Sequence, residues 1–298
     1  MAPGWARADD AGVWVVQSES VGPYVEAATA LRNELTQLPR GGELKVGTWQ
    51  EFQGAPARPP QLIITLGAVA LRNMLDSVQR ETSLARVPIL AALLPRASYE
   101  ALVPKARPGL SGVFLDQPVA RYLELLRLAM PERKRVGVLF GPESAALAPV
   151  LAKEAAARGL RLVTAEVGGD SEEIYPALKT LLGEVDVLLA LPDNKVYNAS
   201  SLQNILITTY RQRVPMVAFS AGYVKAGAAM ALHVSPGQAA SQAAAVARGS
   251  LAGRGLPPPQ WAADFSVVVN DRVARSLGVV ADDPSATTEA LKRKEATR

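Results

Sequence analysis

The stretch "VDVLLALPDNKVYNASSLQNILITTYRQRVPMVAFS", residues 185–220, decides the fold class. It begins with a continuous apolar run, crosses the polar loop "PDNKVYNAS", continues through the amphipathic "SLQNILITTYRQR" and ends on a second apolar run, "VPMVAFS". Short apolar runs bounded by turn residues read as strands buried on both faces. A strand, a helix and a strand in succession read as a parallel crossover.

The same unit recurs outward in both directions. Further apolar, β-branched runs lie at 13–17 (VWVVQ), 44–49 (LKVGTW), 61–67 (QLIITLG), 87–93 (VPILAAL) and 111–116 (SGVFLD). After these come 135–141 (RVGVLFG), 161–167 (RLVTAEV), 229–234 (AMALHV) and 265–270 (FSVVVN). Alanine-rich amphipathic segments such as "VEAATALRNELTQL", "LGAVALRNMLDSV" and "EIYPALKTLLG" separate many of them. The fold class is therefore α/β, with two doubly wound parallel-sheet lobes. A single eight-fold barrel does not fit, because the elements are uneven in length and a second series restarts near Arg135. The spacing predicts a first lobe over 12–116 that takes up 234–262, and a second over 117–233 that takes up 263–280. Residues 281–298, polar throughout, read as a flexible tail.

Composition narrows the chemistry. With 298 residues, 49% apolar and 20% charged, the chain can bury a large core and is long for one domain. The formal charge of +4 includes +2 from Lys292, Arg293, Lys294 and Arg298 against Glu289 and Glu295, so the rest is nearly balanced. No nucleic-acid footprint is expected. Cysteine is absent, which excludes disulfides, thiol catalysis and a lipid-modified cysteine within this chain. His233 is the single histidine, which excludes a histidine-rich metal site. No apolar stretch reaches the roughly 18 residues of a membrane span. At the start, Ala6-Arg7-Ala8 resembles the small-x-small end of a signal peptide with Asp9 following it, which points to export.

In open α/β sheets, ligands bind beyond the carboxyl ends of the strands. The loops there are "QSES", "LGAVAL", "LLPRAS", "FGPES", "LPDNKVYN" and "FSAGYVKAG", rich in hydroxyls, helix starts and free backbone N–H groups. Ser18 and Glu19 are the first-loop candidates, Glu19 being able to pair with a ligand amine. Gly67 and Ala68 can offer backbone N–H groups only. Pro142, Glu143 and Ser144 follow the sixth run, and Asp193, Asn194 and Tyr197 the eighth. "AFSAG" falls one residue short of a G-x-S-x-G nucleophile elbow, with Ala218 where the tight turn prefers Gly. The only base is His233, with no acid between it and Ser220, so a catalytic Ser220 is rejected and no catalytic residue is assigned. Phosphate-loop, dinucleotide and zincin motifs are absent, so no cofactor is expected and binding fits better than catalysis.

From Asp186 to Leu232 the sequence resembles the ABC-transporter substrate-binding protein family that includes the tryptophan/tyrosine-type binding proteins. Those chains place an Asp-Asn pair and then a valine after one strand, and a Ser, a small-residue loop and "VKAGA" after the next. "KRVGVLFGPESAAL" resembles the opening of the family's second lobe, and "FSVVVNDRVARSLGV" its C-terminal crossover and helix. The resemblance implies a type I periplasmic-binding-protein fold, two lobes joined by a three-crossing hinge, with a small ligand held in the inter-lobe cleft. It also implies a periplasmic monomer serving an ABC permease and ATPase at the inner membrane. Under it, Asp193, Asn194, Ser220 and Tyr223 form the second lobe's wall, with Asp193 and Asn194 also placed to cap the next helix. Ser220 and Tyr223 are less expected to cap a helix than Asp193, the plain alternative being that their loop only turns the chain and that Tyr223 covers a helix end. One departure stands out: "QEFQGAPARPPQ" replaces the family's helix between the second and third strands, and Gly54, Pro56, Pro59 and Pro60 argue against any helix there. A trimmed first lobe also admits a sensor or interaction protein with a degenerate cleft.

Overall fold

The computed structural model describes residues 12–36, 42–54, 56–279 and 283–296. The proposed export signal lies outside them. The chain divides into two compact units, one running to Leu115 and resuming over Val234–Asp264, the other spanning Asp116–His233 and resuming at Phe265.

The first unit is built on a six-stranded sheet. Its strands are β1 (Val13–Gln17), β2 (Leu44–Thr48), β3 (Leu62–Leu66), β4 (Ile89–Leu94), β5 (Leu110–Phe114) and β11 (Gln260–Trp261). Their order is β11-β5-β4-β3-β1-β2, and every pairing is parallel. The residues of β3, β4 and β5 are all buried, which is why they read as unbroken apolar runs, whereas the edge strand β2 keeps Lys45 exposed. Helix α2 (Ala68–Arg80) lays Leu71, Met74 and Val78 into a core with Val16, Ile63 and Ala91. Burial of each such large side chain stabilises by roughly 1.5–3 kcal/mol. Helices α1 (Pro23–Glu34) and α9 (Pro236–Gly249) pack together, and α9 also meets β4. The buried stripe of Ala239, Ala240, Ala243, Ala244 and Ala247 carries no bulk to hold α9 away. A capping box starts α9: Ser235 Oγ accepts from the Gln238 N–H at 3.1 Å while the Ser235 N–H donates to Gln238 Oε1 at 3.0 Å.

The second unit repeats the plan. Strands β6 (Arg135–Phe140), β7 (Arg161–Glu166), β8 (Val187–Leu189), β9 (Met216–Ala218), β10 (Met230–His233) and β12 (Ser266–Val269) form a sheet of order β12-β10-β9-β8-β6-β7. Only β12, pairing with β10, is antiparallel. In each sheet the strand order reverses once, between β1 and β3 and between β6 and β8, and such reversals are where doubly wound sheets bind ligands.

Two expectations are corrected, and one strand was not anticipated. The C-terminal segment is not a loose tail: Pro284–Ala296 forms α11, which packs on β12 and on α4 (Val119–Ala129). Leu291 is buried there, Thr288 Oγ1 accepts the Val267 N–H at 3.0 Å, and Glu295 holds Arg121 at 2.5 and 2.7 Å. One apolar residue and a few long-range bonds hold a segment whose composition alone looks unstructured. Between β2 and β3 a 3-10 turn does form, Trp49–Phe52, nucleated by the Thr48 and Glu51 capping box and anchored by buried Phe52. β11, finally, emerges from the Pro/Gly-rich "GRGLPPPQWAAD" (253–264), where two residues suffice to pair with Val113 and Phe114.

Candidate functional site

In the first unit the loops leaving β1 and β3 meet through Ser18. Its hydroxyl donates to the Leu66 carbonyl at 2.9 Å and accepts the Ala70 N–H at 3.0 Å. Ser18 thus caps α2 from a distant loop, supplying the side-chain acceptor that Gly67 at the N-cap position lacks. Gly67 has φ +91°, and a Cβ there would fall 2.5 Å from Ser18 Oγ and 2.7 Å from Tyr24 Cε1. Only glycine fits so close an approach in that conformation. Ala68 opens α2, whose first-turn N–H groups are the donors of this loop. Glu19 is exposed beside Tyr24, whose phenol pKa is pushed up by burial first and by the Glu19 carboxylate second.

In the second unit the loops leaving β6 and β8 are tied by Asp193, which is only 2% exposed. Its Oδ2 accepts the N–H of Glu143 at 3.0 Å, the N–H of Ser144 at 2.9 Å and the Ser144 hydroxyl at 2.8 Å. Its Oδ1 accepts the Lys195 N–H at 3.0 Å. In return Glu143 Oε2 accepts the Asn194 N–H at 2.9 Å. Gly141 makes room for this clamp, since a Cβ there would meet Asp193 Oδ2 and Val196 Cγ2, both at 2.6 Å. Asp193 therefore does not cap the following helix, α7 (Leu202–Arg211). Ser144 is wholly buried, while Pro142, Glu143 and Asn194 are exposed.

The loop after β9 adds an aromatic cluster. Phe219 stands edge-on to Tyr197, ring centroids 6.0 Å apart, and to Tyr223 at 4.9 Å. The Tyr223 hydroxyl donates to the Tyr197 carbonyl at 2.9 Å. Tyr197 is buried, and its own hydroxyl has no hydrogen-bond partner among the described residues. Burial, with smaller contributions from Tyr223 and Asp193, pushes its pKa up, so it remains a neutral donor. Ser220 corrects an expectation: it is the N-cap of α8 (Ala221–Ala226), its hydroxyl accepting the Gly222 N–H at 3.2 Å.

The structure thus gathers Ser18, Gly67 and Ala68 in one loop set, and Glu143, Ser144, Asp193 and Asn194 in another joined to Tyr197, Ser220 and Tyr223. Sequence reasoning passed over Tyr24 and Phe219. Phe219 sits directly before Ser220, and an aromatic at the carboxyl end of a buried strand is the signal that could have found it.

Two six-stranded, doubly wound units, each with polar loops gathered at its strand reversal, give the chain the type I periplasmic-binding-protein fold. More particularly, the chain belongs to the ABC transporter substrate binding protein family, which matches residues 85–291. Its members are binding proteins that take small molecules and work with ABC transporter components. Among solved structures, a ligand-free, open substrate-binding protein with adhesive properties from Clostridium difficile aligns with a TM-score of 0.71 and 19% identity, over 93% of this chain and 97% of that one. An ABC domain in complex with L-Trp from Streptococcus pneumonia gives 0.61 and 16%, over 94% and 98%. A conserved domain protein from Vibrio cholerae gives 0.62 and 22%, over 93% and 98%. At these identities the likeness establishes the fold. No curated protein matches this chain.

Proposed function

We propose that this protein is the periplasmic, monomeric solute-binding component of an ABC importer, taking an amino-acid-like ligand and delivering it to a permease and ATPase at the inner membrane. Family membership over residues 85–291 carries the reading. The loop chemistry supports it. The first-turn N–H groups of α2 that Ser18 does not take suit a carboxylate, and exposed Glu19 suits an ammonium. Phe219 and Tyr223 offer an aromatic surface, and Tyr197 a buried hydroxyl without a partner among the described residues. The complex with L-Trp makes aromatic amino acids the first candidates. In this reading Ser144 and Asp193 shape the wall from behind, while Pro142, Glu143, Asn194, Ser220 and Tyr223 face the solute.

A second reading, a sensor or interaction protein on the same fold, draws on the short 3-10 turn that stands alone between β2 and β3. Calorimetry against an amino-acid panel led by L-tryptophan and L-tyrosine, with native mass spectrometry of the purified protein, separates the two. Transport predicts one-site binding that Tyr223→Ala weakens by about 1–3 kcal/mol. No binding across the panel and no co-purifying solute would favour the sensor.

A further inference from the structure

The outer edge of the first sheet carries a groove that uses none of the loops carrying Ser18, Gly67, Asp193 or Ser220, although its Arg96 lies in the strand-end loop "LLPRAS". Helix α3 (Arg96–Leu102) has seven residues against the thirteen of α2, and it covers β5 chiefly through Tyr99, which packs on Phe114. On the other side of β5, Pro257, Pro258 and Pro259 have no N–H to give a ladder. β11 consequently forms only at Gln260 and Trp261, opposite Val113 and Phe114, and residues 110–112 have no strand partner on that side. The result is a groove of about 1040 Å³ lined by α3, the 103–110 loop and the 256–261 segment.

Its lining combines aromatic surface with positive charge. The rings of Tyr99 and Phe114 lie 5.3 Å apart, and burial pushes the Tyr99 phenol up to about 12, so it stays neutral. Trp261, 37% exposed, has the Arg96 guanidinium 4.7 Å above its ring, and Arg96 is also paired with Glu100 at 2.6 Å. Arg107 is exposed in the same lining. Two guanidinium groups against one carboxylate leave the lining positive, with the charge of Arg96 already met by Glu100.

We propose that this groove is a second binding site, for a planar aromatic anion of the aryl-carboxylate class. The ligand ring packs against Trp261 and the prolines, where edge and offset contacts are favourable. Its carboxylate pairs with Arg107, whose planar fork suits two-point recognition of that group. A volume at the upper end of ligand-site sizes accommodates two or three fused rings. The site stands or falls independently of the proposed transport role.

The test uses the full chain and naphthalene-2-carboxylate, followed by backbone amide NMR. The expected result is saturable shifts within 96–110 and 256–261. Arg107→Glu, or replacing the probe by uncharged 2-naphthalenemethanol, should raise Kd about tenfold or more, as loss of a charge-assisted contact requires. Trp261→Ala should raise it as well. Both side chains are exposed enough for the variants to keep the fold. Shifts confined to the loops carrying Ser18, Gly67, Asp193 and Ser220, the absence of saturation, or an unchanged Kd in both variants would overturn the site.

Discussion

Asp193 Oδ2 accepts the Ser144 hydroxyl at 2.8 Å, across forty-nine residues of sequence and between the two loops that flank the strand reversal of the second sheet. The carboxylate is occupied by the protein itself. Asp193→Ala should therefore cost roughly 3 kcal/mol, because it strands the Ser144 hydroxyl and three backbone N–H groups. Asp193→Asn, which keeps one acceptor, should cost less. Urea unfolding of both variants measures this, and an Asp193→Ala as stable as the parent would refute the clamp.

Ser220 behaves differently from a pure wall residue. Because it caps α8, Ser220→Ala should lower stability by about 1 kcal/mol, whereas Ser220→Asp, which keeps a capping oxygen, should largely restore it. Thermal unfolding of the two variants side by side distinguishes a cap from a side chain that only faces solute.

Arg121, 6% exposed, joins the start of α4 to the C-terminal helix: it donates to Gln117 and Glu295 and lies 4.1 Å over the Phe265 ring. Glu295→Ala should cost about 1–2 kcal/mol, between an exposed pair and a buried one, since Glu295 itself is 38% exposed. Hydrogen exchange should then show faster opening of 284–296 while the β6 amides keep their protection. Unchanged exchange in α11 would mean that Leu291 and the bonds of Thr288 and Lys294 hold the helix without Glu295.

Asp186 supplies the pH dependence. Hydrogen bonds from the Arg135 side chain hold its carboxyl below the usual carboxylate range, and the Arg135 and Lys134 N–H groups add to this. A depressed folded-state pKa means that the stabilisation is present above the unfolded value and is lost as pH falls through the folded one. Asp186→Asn should therefore flatten the acid limb of stability below about pH 4 and leave the neutral range within about 1 kcal/mol of the parent. A titration of the Asp186 carboxyl by carbon-detected NMR that returned an ordinary value would contradict the assignment.

Much of the architecture was legible in the residues. The eleven runs read as strands each carry one, with β1 matching to the residue, because strands buried on both faces must be continuously apolar. The positions of the polar loops followed from the strand ends. What α11, β11 and the roles of Asp193 and Ser18 share is dependence on a partner far along the chain: Leu291 on the core beneath it, Gln260 on Val113, Asp193 on Ser144, Ser18 on the N–H of Ala70. Periodicity reports whether a side chain will be buried, since burial is a property of one face of one element. Which donor a buried carboxylate or hydroxyl meets depends on how two loops approach within 3 Å, and only the packed chain determines that distance.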